Sequence, residues 1–390
     1  MPHRVLVVDD EPDLEILIRQ RFRKRIRTGE LSFAFAENGE EALKRLQADG
    51  DLAVVLTDIN MPVMDGLTLL SRLREAHPLL RSVIVSAYGD MANIRTALNR
   101  GAFDFITKPI DFLDLEITLD KALDEAVLRR QAARDRDRLL GIHRELDLAR
   151  GIQESLVPRE FPRHPRFEIY GSMIPASQVG GDLFDFFLLD PGRLAFTIGD
   201  VSGKGIAAAL YMAVSRTVLR VVAGKGGAPH ECLLEVNRFL RGERKNSNIF
   251  LTCFYGILDL ETGWLEYSRA GHNPPYLIRA GAGPAGTVQR LDAAGGLPLG
   301  ILKLVAYDTA AIQLQPGERI LLFTDGITEA MNAGRELYGE DRLERLLEQS
   351  EAASVAELVR SVTEAATAFA DGAPASDDIT VMGIGYLGKS

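Results

Sequence analysis

Acidic side chains follow apolar runs at intervals along this chain. The first case is RVLVVDDEPD, residues 4–13, where Asp9, Asp10 and Glu11 end a run of aliphatic residues. The pattern returns at Asp58 in VVLTDIN. It recurs in VGGDLFDFF, LAFTIGDVSGKG, ILLFTDGITEA and PASDDITVMGIG, which carry Asp182 and Asp185, Asp200, Asp325, and Asp377 and Asp378. One such loop is an ordinary polar turn. Several that meet would repel one another unless a cation binds, and hard divalent ions are held by clustered carboxylate oxygens. Glycines beside the later aspartates let backbone and ion approach closely. Two adjacent hard cations activate water toward phosphate esters. An aspartate beside a single such ion can instead attack phosphorus itself. For Asp58 that chemistry would use Lys108 to balance the new phosphoryl charge and Ser86 to donate a hydrogen bond to it. No Ser-His-Asp or Cys-His constellation is apparent, and His272 in AGHNPP reads as a packed structural histidine rather than a metal ligand.

Positioning these groups requires sheet edges. Up to about residue 112, candidate strands at 5–8, 33–36, 53–57, 83–86 and 103–106 alternate with helical patterns at 14–25, 40–46, 67–75 and 94–100. This alternation predicts a parallel sheet covered on both faces, with ligands at the carboxyl ends of its strands. Those ends carry Asp9 and Asp10, Asp58, Ser86 and Lys108. From 113 to about 156 proline is absent and charge is dense. Leu119, Leu123, Ala126, Ala133 and Leu140 follow a three–four spacing that Arg130 and Asp137 interrupt. Leu139, Ile142, Leu146, Ala149 and Leu156 resume it in a shifted register, so the segment predicts a long helix with a stuttered coiled-coil seam. A solvated connector helix is the alternative. Pro158, Pro162 and Pro165 end the helix. Beyond, strands at 193–198, 251–258, 263–269 and 319–323 and helices at 207–222, 233–241 and 353–370 predict an α+β segment with mostly antiparallel strands.

At 390 residues the chain is long enough for two or three domains. Its net charge of −10 argues against nucleic acid as the main partner, since phosphate backbones reward Lys and Arg. Cys232 and Cys253 form no CxxC pair and sit in apolar surroundings, as inert packing in a reducing compartment requires. No stretch approaches the roughly 20 apolar residues that span a bilayer, and the start does not read as a signal peptide. The expectation is a cytoplasmic protein with neither nucleic acid nor a membrane as partner.

VVDDE, LTDINMPVMDG, IVSAYGD and FITKPI together resemble the receiver domain of two-component response regulators, over essentially residues 1–120. The resemblance implies a flavodoxin-like α/β fold, a doubly wound five-stranded parallel sheet. It makes Asp58 the phospho-acceptor, with a cognate histidine kinase as partner. It assigns Mg2+ to Asp9, Asp10, Asp58 and the backbone carbonyl of Asn60, and a switching role to Ser86, Phe105 and Lys108. A cis Lys108–Pro109 peptide is expected with it. Phe105 takes the place of the rotating aromatic switch, without a tyrosine hydroxyl.

GGDLFDF, GDVSGKGIAAAL, AGHNPPYL, GLPLGI, FTDGITEA and SDDIT resemble the SpoIIE-like branch of the PPM family of metal-dependent serine/threonine phosphatases, over 165–387. That implies an antiparallel β-sandwich flanked by helices, holding two Mn2+ or Mg2+ ions. By the resemblance Asp200 bridges both metals, the Val201 carbonyl is a ligand, Asp325 and Asp377 complete one site and Asp182 serves the other. Asp378 ranks below Asp377, and Asp185 is expected to orient a metal-held water. No clear substitute is seen for the phosphate-clamping arginine of the eukaryotic enzymes. With a coiled-coil linker at 121–160, the resemblance implies a phosphatase under receiver control. Its substrate would be a phosphorylated STAS-type anti-anti-sigma protein, and its linker would join two copies as a homodimer. The alternative is a non-catalytic adaptor that binds partners through a phosphatase-like domain. Such relatives typically lose metal-site carboxylates, which this sequence retains.

Overall fold

The computed structural model describes residues 2–87, 89–242, 249–279 and 287–388, so Tyr88 of the IVSAYGD motif lies outside the described residues. The chain divides into two compact units, Met1–Ile142 and His143–Ser390.

The first unit runs β1 (His3–Val8), α1 (Pro12–Arg21), α2 (Arg23–Arg27), β2 (Leu31–Ala36), α3 (Gly39–Ala48), β3 (Leu52–Asp58), α4 (Gly66–Ala76), β4 (Arg81–Ala87), α5 (Met91–Asn99), β5 (Asp104–Lys108) and the start of α6 (Phe112–Leu156). Its strands pair in the order β2-β1-β3-β4-β5, all parallel. Every residue of β3 is buried, as expected of a strand covered on both faces. Side chains start the crossover helices: Asn38 accepts from the amides of Glu40 and Glu41 at α3, and Asp65 from that of Thr68 at α4. The helix expected at 14–25 breaks at Phe22, whose ring is buried 5.3 Å from that of Phe33.

α6 is a single helix of 45 residues. Its first turns bury Leu115, Leu119, Ala122, Leu123 and Ala126 in the core of the first unit. Leu119, Leu123 and Ala126, which the spacing assigned to an inter-chain seam, are therefore core residues of this unit. Arg130 does not interrupt a seam either; its guanidinium donates to the carbonyls of Asp51 and Leu52. Farther on, Leu139, Ile142, Leu148 and Ile152 are exposed.

The second unit continues from the end of α6 through β6 (Phe167–Ile174), β7 (Leu183–Asp190), β8 (Arg193–Val201), α7 (Ile206–Ala223), α8 (Pro229–Arg241), β9 (Leu251–Asp259), β10 (Trp264–Ala270), β11 (Tyr276–Arg279), β12 (Thr287–Arg290), β13 (Thr309–Gln313), β14 (Arg319–Phe323), α9 (Asp325–Thr328), α10 (Glu340–Glu348), α11 (Val355–Ala370) and β15 (Ile379–Tyr386). Two five-stranded antiparallel sheets form, ordered β13-β10-β9-β8-β7 and β12-β11-β14-β15-β6. Strand alternation fills three layers. Leu194, Phe196 and Ile198 of β8 pack between the sheets with Phe254, Met382 and Ile384. Ala195 and Val201 face α7 and α8, and Phe323 and Val381 face α10 and α11.

α7, with a mean hydropathy of 1.6 over 18 residues, is long and apolar enough by composition to cross a membrane, a signal the sequence reading did not register. Its Ala208, Met212 and Leu219 are buried in the second unit, and its Arg216 and Arg220 pair with buried Asp185. Both cysteines are free and buried, and burial pushes each thiol up to about 12.

Candidate functional site

Strand order in the first unit reverses between β1 and β3, and their carboxyl ends open a crevice at that point. Carboxylate oxygens of Asp9, Asp10 and Asp58 come within 4.8 Å of one another there. Asp58 Oδ1 accepts from the amides of Ile59 (2.5 Å) and Asn60 (3.3 Å), which fixes the carboxylate's orientation. Lys108 Nζ lies 2.6 Å from Asp58 Oδ2, 2.9 Å from Glu11 Oε1 and 3.1 Å from Asp9 Oδ2. Burial works against the lysine charge, but these three acidic partners outweigh it and raise its pKa. For Asp9 the balance is opposite: burial dominates and raises its pKa. Ser86, at the end of β4, is buried with no hydrogen-bond partner for its hydroxyl among the described residues. Phe105 is half-buried against Ile59, Leu70, Ile84 and Ala97. The Lys108–Pro109 peptide is cis. Gly66 is obligatory, because a Cβ there would sit 2.1 Å from the Asp58 carbonyl oxygen. This all-oxygen donor set, with one orphaned hydroxyl and a lysine beside it, suits a magnesium ion and a phosphoryl group.

In the second unit the four acidic loops gather at one end of the sandwich. Leu183 pairs with Gly199, which sets Asp182 at the start of β7 beside Asp200 near the end of β8. Asp325 opens α9 directly after β14, and Asp377 and Asp378 precede β15, the neighbour of β14. A Cβ on Gly326 would sit 1.9 Å from the Asp378 carbonyl oxygen, so the two loops touch through backbone. Asp378 ties the sheets together. Its Oδ1 accepts from the amide of Ala176 (2.8 Å) and its Oδ2 from those of Gly181 (2.6 Å) and Asp182 (3.4 Å). Thr324 donates from Oγ1 to Asp182 Oδ2 at 2.8 Å. Gly181 also lies against the Val201 carbonyl, 2.9 Å from where its Cβ would be.

The electrostatics are those of a crowded acidic site. Burial, then the charge of Asp200, raises Asp182 well above the usual carboxylate range. Burial, then Asp325 and Asp377, pushes Asp200 up to about 7. Asp325 is raised by burial and by Glu329 and Asp377. Among the described residues no ion pair reaches Asp182, Asp200 or Asp325. Among the described residues, no three acidic side chains here close to within 4.8 Å as they do in the first unit. The donors are hard oxygens in an arrangement more open than the first, as suits a pair of divalent ions with waters completing their shells.

Several placements were not legible in the sequence. Lys204, four residues after Asp200, lies 3.2 Å from Asp377 Oδ2 and donates to the Ser376 carbonyl. No compensating lysine or arginine is expected at these loops from the sequence. Asp185, expected to orient a metal-held water, has both oxygens engaged by Arg220 at 2.8 Å and one by Arg216 at 3.0 Å. It is a buried ion-pair partner for Arg216 and Arg220 of α7. His272 is buried and held neutral at about 3, chiefly by burial, with Nδ1 2.9 Å from Thr252 Oγ1.

Comparison with known proteins agrees with this geometry. The model for Stage II sporulation protein E (SpoIIE) matches residues 190–386, just over half of the chain, and the response regulator receiver domain matches 5–120. Phosphoserine phosphatase RsbU of Bacillus subtilis is 28% identical over 69% of this chain and 79% of its own length. Protein IcfG of Synechocystis sp. is 29% identical over 63% of this chain, which spans only 42% of IcfG. The SiaA-PP2C domain of Pseudomonas aeruginosa has the same fold, with a TM-score of 0.56 at 19% identity over 64% of this chain and 98% of that one. The chain belongs to the SpoIIE family of PPM-type, metal-dependent serine/threonine phosphatase domains, here preceded by a response regulator receiver domain.

Proposed function

We propose that this chain is a response regulator whose output is protein dephosphorylation, with the receiver at 1–120, the linker at 121–160 and the phosphatase domain at 165–387. The observation that carries the reading is the convergence of four acidic loops on one point: Asp182 is raised by burial and by the charge of Asp200, and Asp200 by burial and by the charges of Asp325 and Asp377. Asp200 would serve two divalent ions, either Mn2+ or Mg2+, with the Val201 carbonyl as a further ligand; Asp325 and Asp377 would complete one site and Asp182 would serve the other. Bound there, such ions supply an activated water and positive charge for a phosphate ester. The chain's own residues do the positioning. Asp378 and Thr324 fix the loop and carboxylate of Asp182, and Gly326 lets the Asp325 loop lie on the Asp378 backbone. Lys204, side chain 60% exposed at the rim, supplies the positive charge nearest Asp377.

In the receiver, Asp9, Asp10, Asp58 and the Asn60 carbonyl would hold Mg2+ while a histidine kinase phosphorylates Asp58. Lys108 and Ser86 stand ready for the phosphoryl oxygens, and Phe105 adjusts its burial. The substrate class follows the family: a phosphoserine or phosphothreonine on a small STAS-domain protein of a partner-switching pathway. The exposed apolar residues of α6 from Leu139 onward suit pairing with a second copy.

The test is phosphate release from a candidate phosphorylated STAS protein by the full chain, with and without beryllofluoride on the receiver. The reading expects Mn2+- or Mg2+-dependent release whose rate changes with beryllofluoride. Release indifferent to beryllofluoride contradicts receiver control, and no release from any phosphorylated STAS protein contradicts the substrate class.

A further inference from the structure

The last turns of α6 carry a glutamine that sequence patterning had no reason to single out. Gln153 is buried, only 5% exposed, whereas Ile152 just before it, which points to a different side of the helix, is 67% exposed. Its amide closes a two-way clamp on one glycine. Nε2 donates to the Gly180 carbonyl (2.5 Å) and Oε1 accepts from the Gly180 amide (3.0 Å). A side-chain amide satisfied at both ends in a buried setting holds its target in both position and rotation. That target is next to the acidic site. The two residues after Gly180 donate their amides to Asp378, and the second of them is Asp182. A Cβ on Gly180 would meet Asp378 Oδ2 at 2.3 Å, so the loop is gripped by Asp378 on one side and by Gln153 on the other. The end of α6 is itself anchored, since Val157 is buried between the two sheets.

We propose that Gln153 is a positioning residue for the metal site: through Gly180 it holds the Asp182 loop, so the end of the linker helix sets how well the site takes its second divalent ion. This rests on the two-metal reading above. It gives α6, whose first turns are built into the receiver core, a defined point of action on the catalytic unit.

The test is direct Mn2+ binding to the full chain, followed by loss of the free-ion EPR signal. Wild type is compared with Gln153→Ala, with Gln153→Met, which keeps the side chain's length and bulk, and with Asp200→Asn, which identifies the catalytic sites by their loss. Both Gln153 variants are expected to bind Mn2+ at those sites about 10- to 100-fold more weakly, the usual effect of removing a partner that orients a metal ligand. Aryl phosphate hydrolysis is expected to recover at saturating Mn2+, and the metal-free melting temperature to stay within a few degrees of wild type. Should Gln153→Ala fail to fold, the Met variant decides. Wild-type Mn2+ affinity in Gln153→Met overturns the proposal, and so does a lowered melting temperature with affinity unchanged. If Asp200→Asn binds as many ions as wild type, the two-metal reading itself falls, and the proposal with it.

Discussion

At the scale of single residues, the acidic end of the sandwich is held together against its own repulsion. A carboxyl raised to about 7, as Asp200 is, keeps in the folded state a proton that the unfolded chain releases near its ordinary value. The stability this gives is fully present below the unfolded value and is lost as pH rises through about 7. Asp182 is shifted in the same direction. Divalent ions should therefore stabilise the second unit more at pH 8 than at pH 6, where protons compete for the same oxygens. At a Mn2+ concentration 100 times Kd the expected gain is about 2.7 kcal/mol, or roughly 5–10 °C for a unit of this size. Calorimetry of the full chain with and without Mn2+ at the two pH values checks this. Metal-free Asp200→Asn should melt above metal-free wild type at pH 8. An equal Mn2+ shift at both pH values would contradict the electrostatic account.

At the scale of elements, α6 is the part of the molecule with two duties. Its first turns complete the core of the first unit, and its end carries Gln153 and half-buried Leu156 into the second. Replacing Leu156 with Asp is expected to uncouple phosphatase rate from beryllofluoride loading at Asp58. Regulation that survives the substitution would place the coupling elsewhere. The sequence made much of this level legible. The five parallel strands, the long helix and the stop at Pro158 follow from apolar runs, period and proline. What escaped has identifiable causes. The break at Phe22 depends on a tertiary ring contact with Phe33 that helical periodicity does not encode. α8 begins at Pro229, four residues earlier than the apolar pattern suggested, although proline in the first turn is itself a start signal. Leu119, Leu123 and Ala126 have the same spacing whether a helix packs on a sheet or on a second helix, so period alone could not separate core from seam.

At the scale of the whole molecule, two acidic sites of different design occupy one chain. In the receiver, three carboxylates close on one point with a lysine already inserted between two of them. In the phosphatase domain the carboxylates come from four loops on two sheets, and their convergence could be read from sequence only through the family resemblance, because nothing local announces that distant strand ends will meet. Lys204 and Gln153 were missed for the same reason: each acts on a loop far from it in sequence. The account rests on those loops binding divalent ions that act on a phosphate ester. The most direct measurement is hydrolysis of a generic aryl phosphate by the full chain across a Mn2+ titration, with Asp200→Asn beside it. The account predicts a saturable, Mn2+-dependent rate that falls by more than about 100-fold in the variant, beyond the loss expected from an outlying metal partner. Equal, slow hydrolysis by both proteins at every Mn2+ concentration would contradict it and leave a receiver coupled to a non-catalytic adaptor.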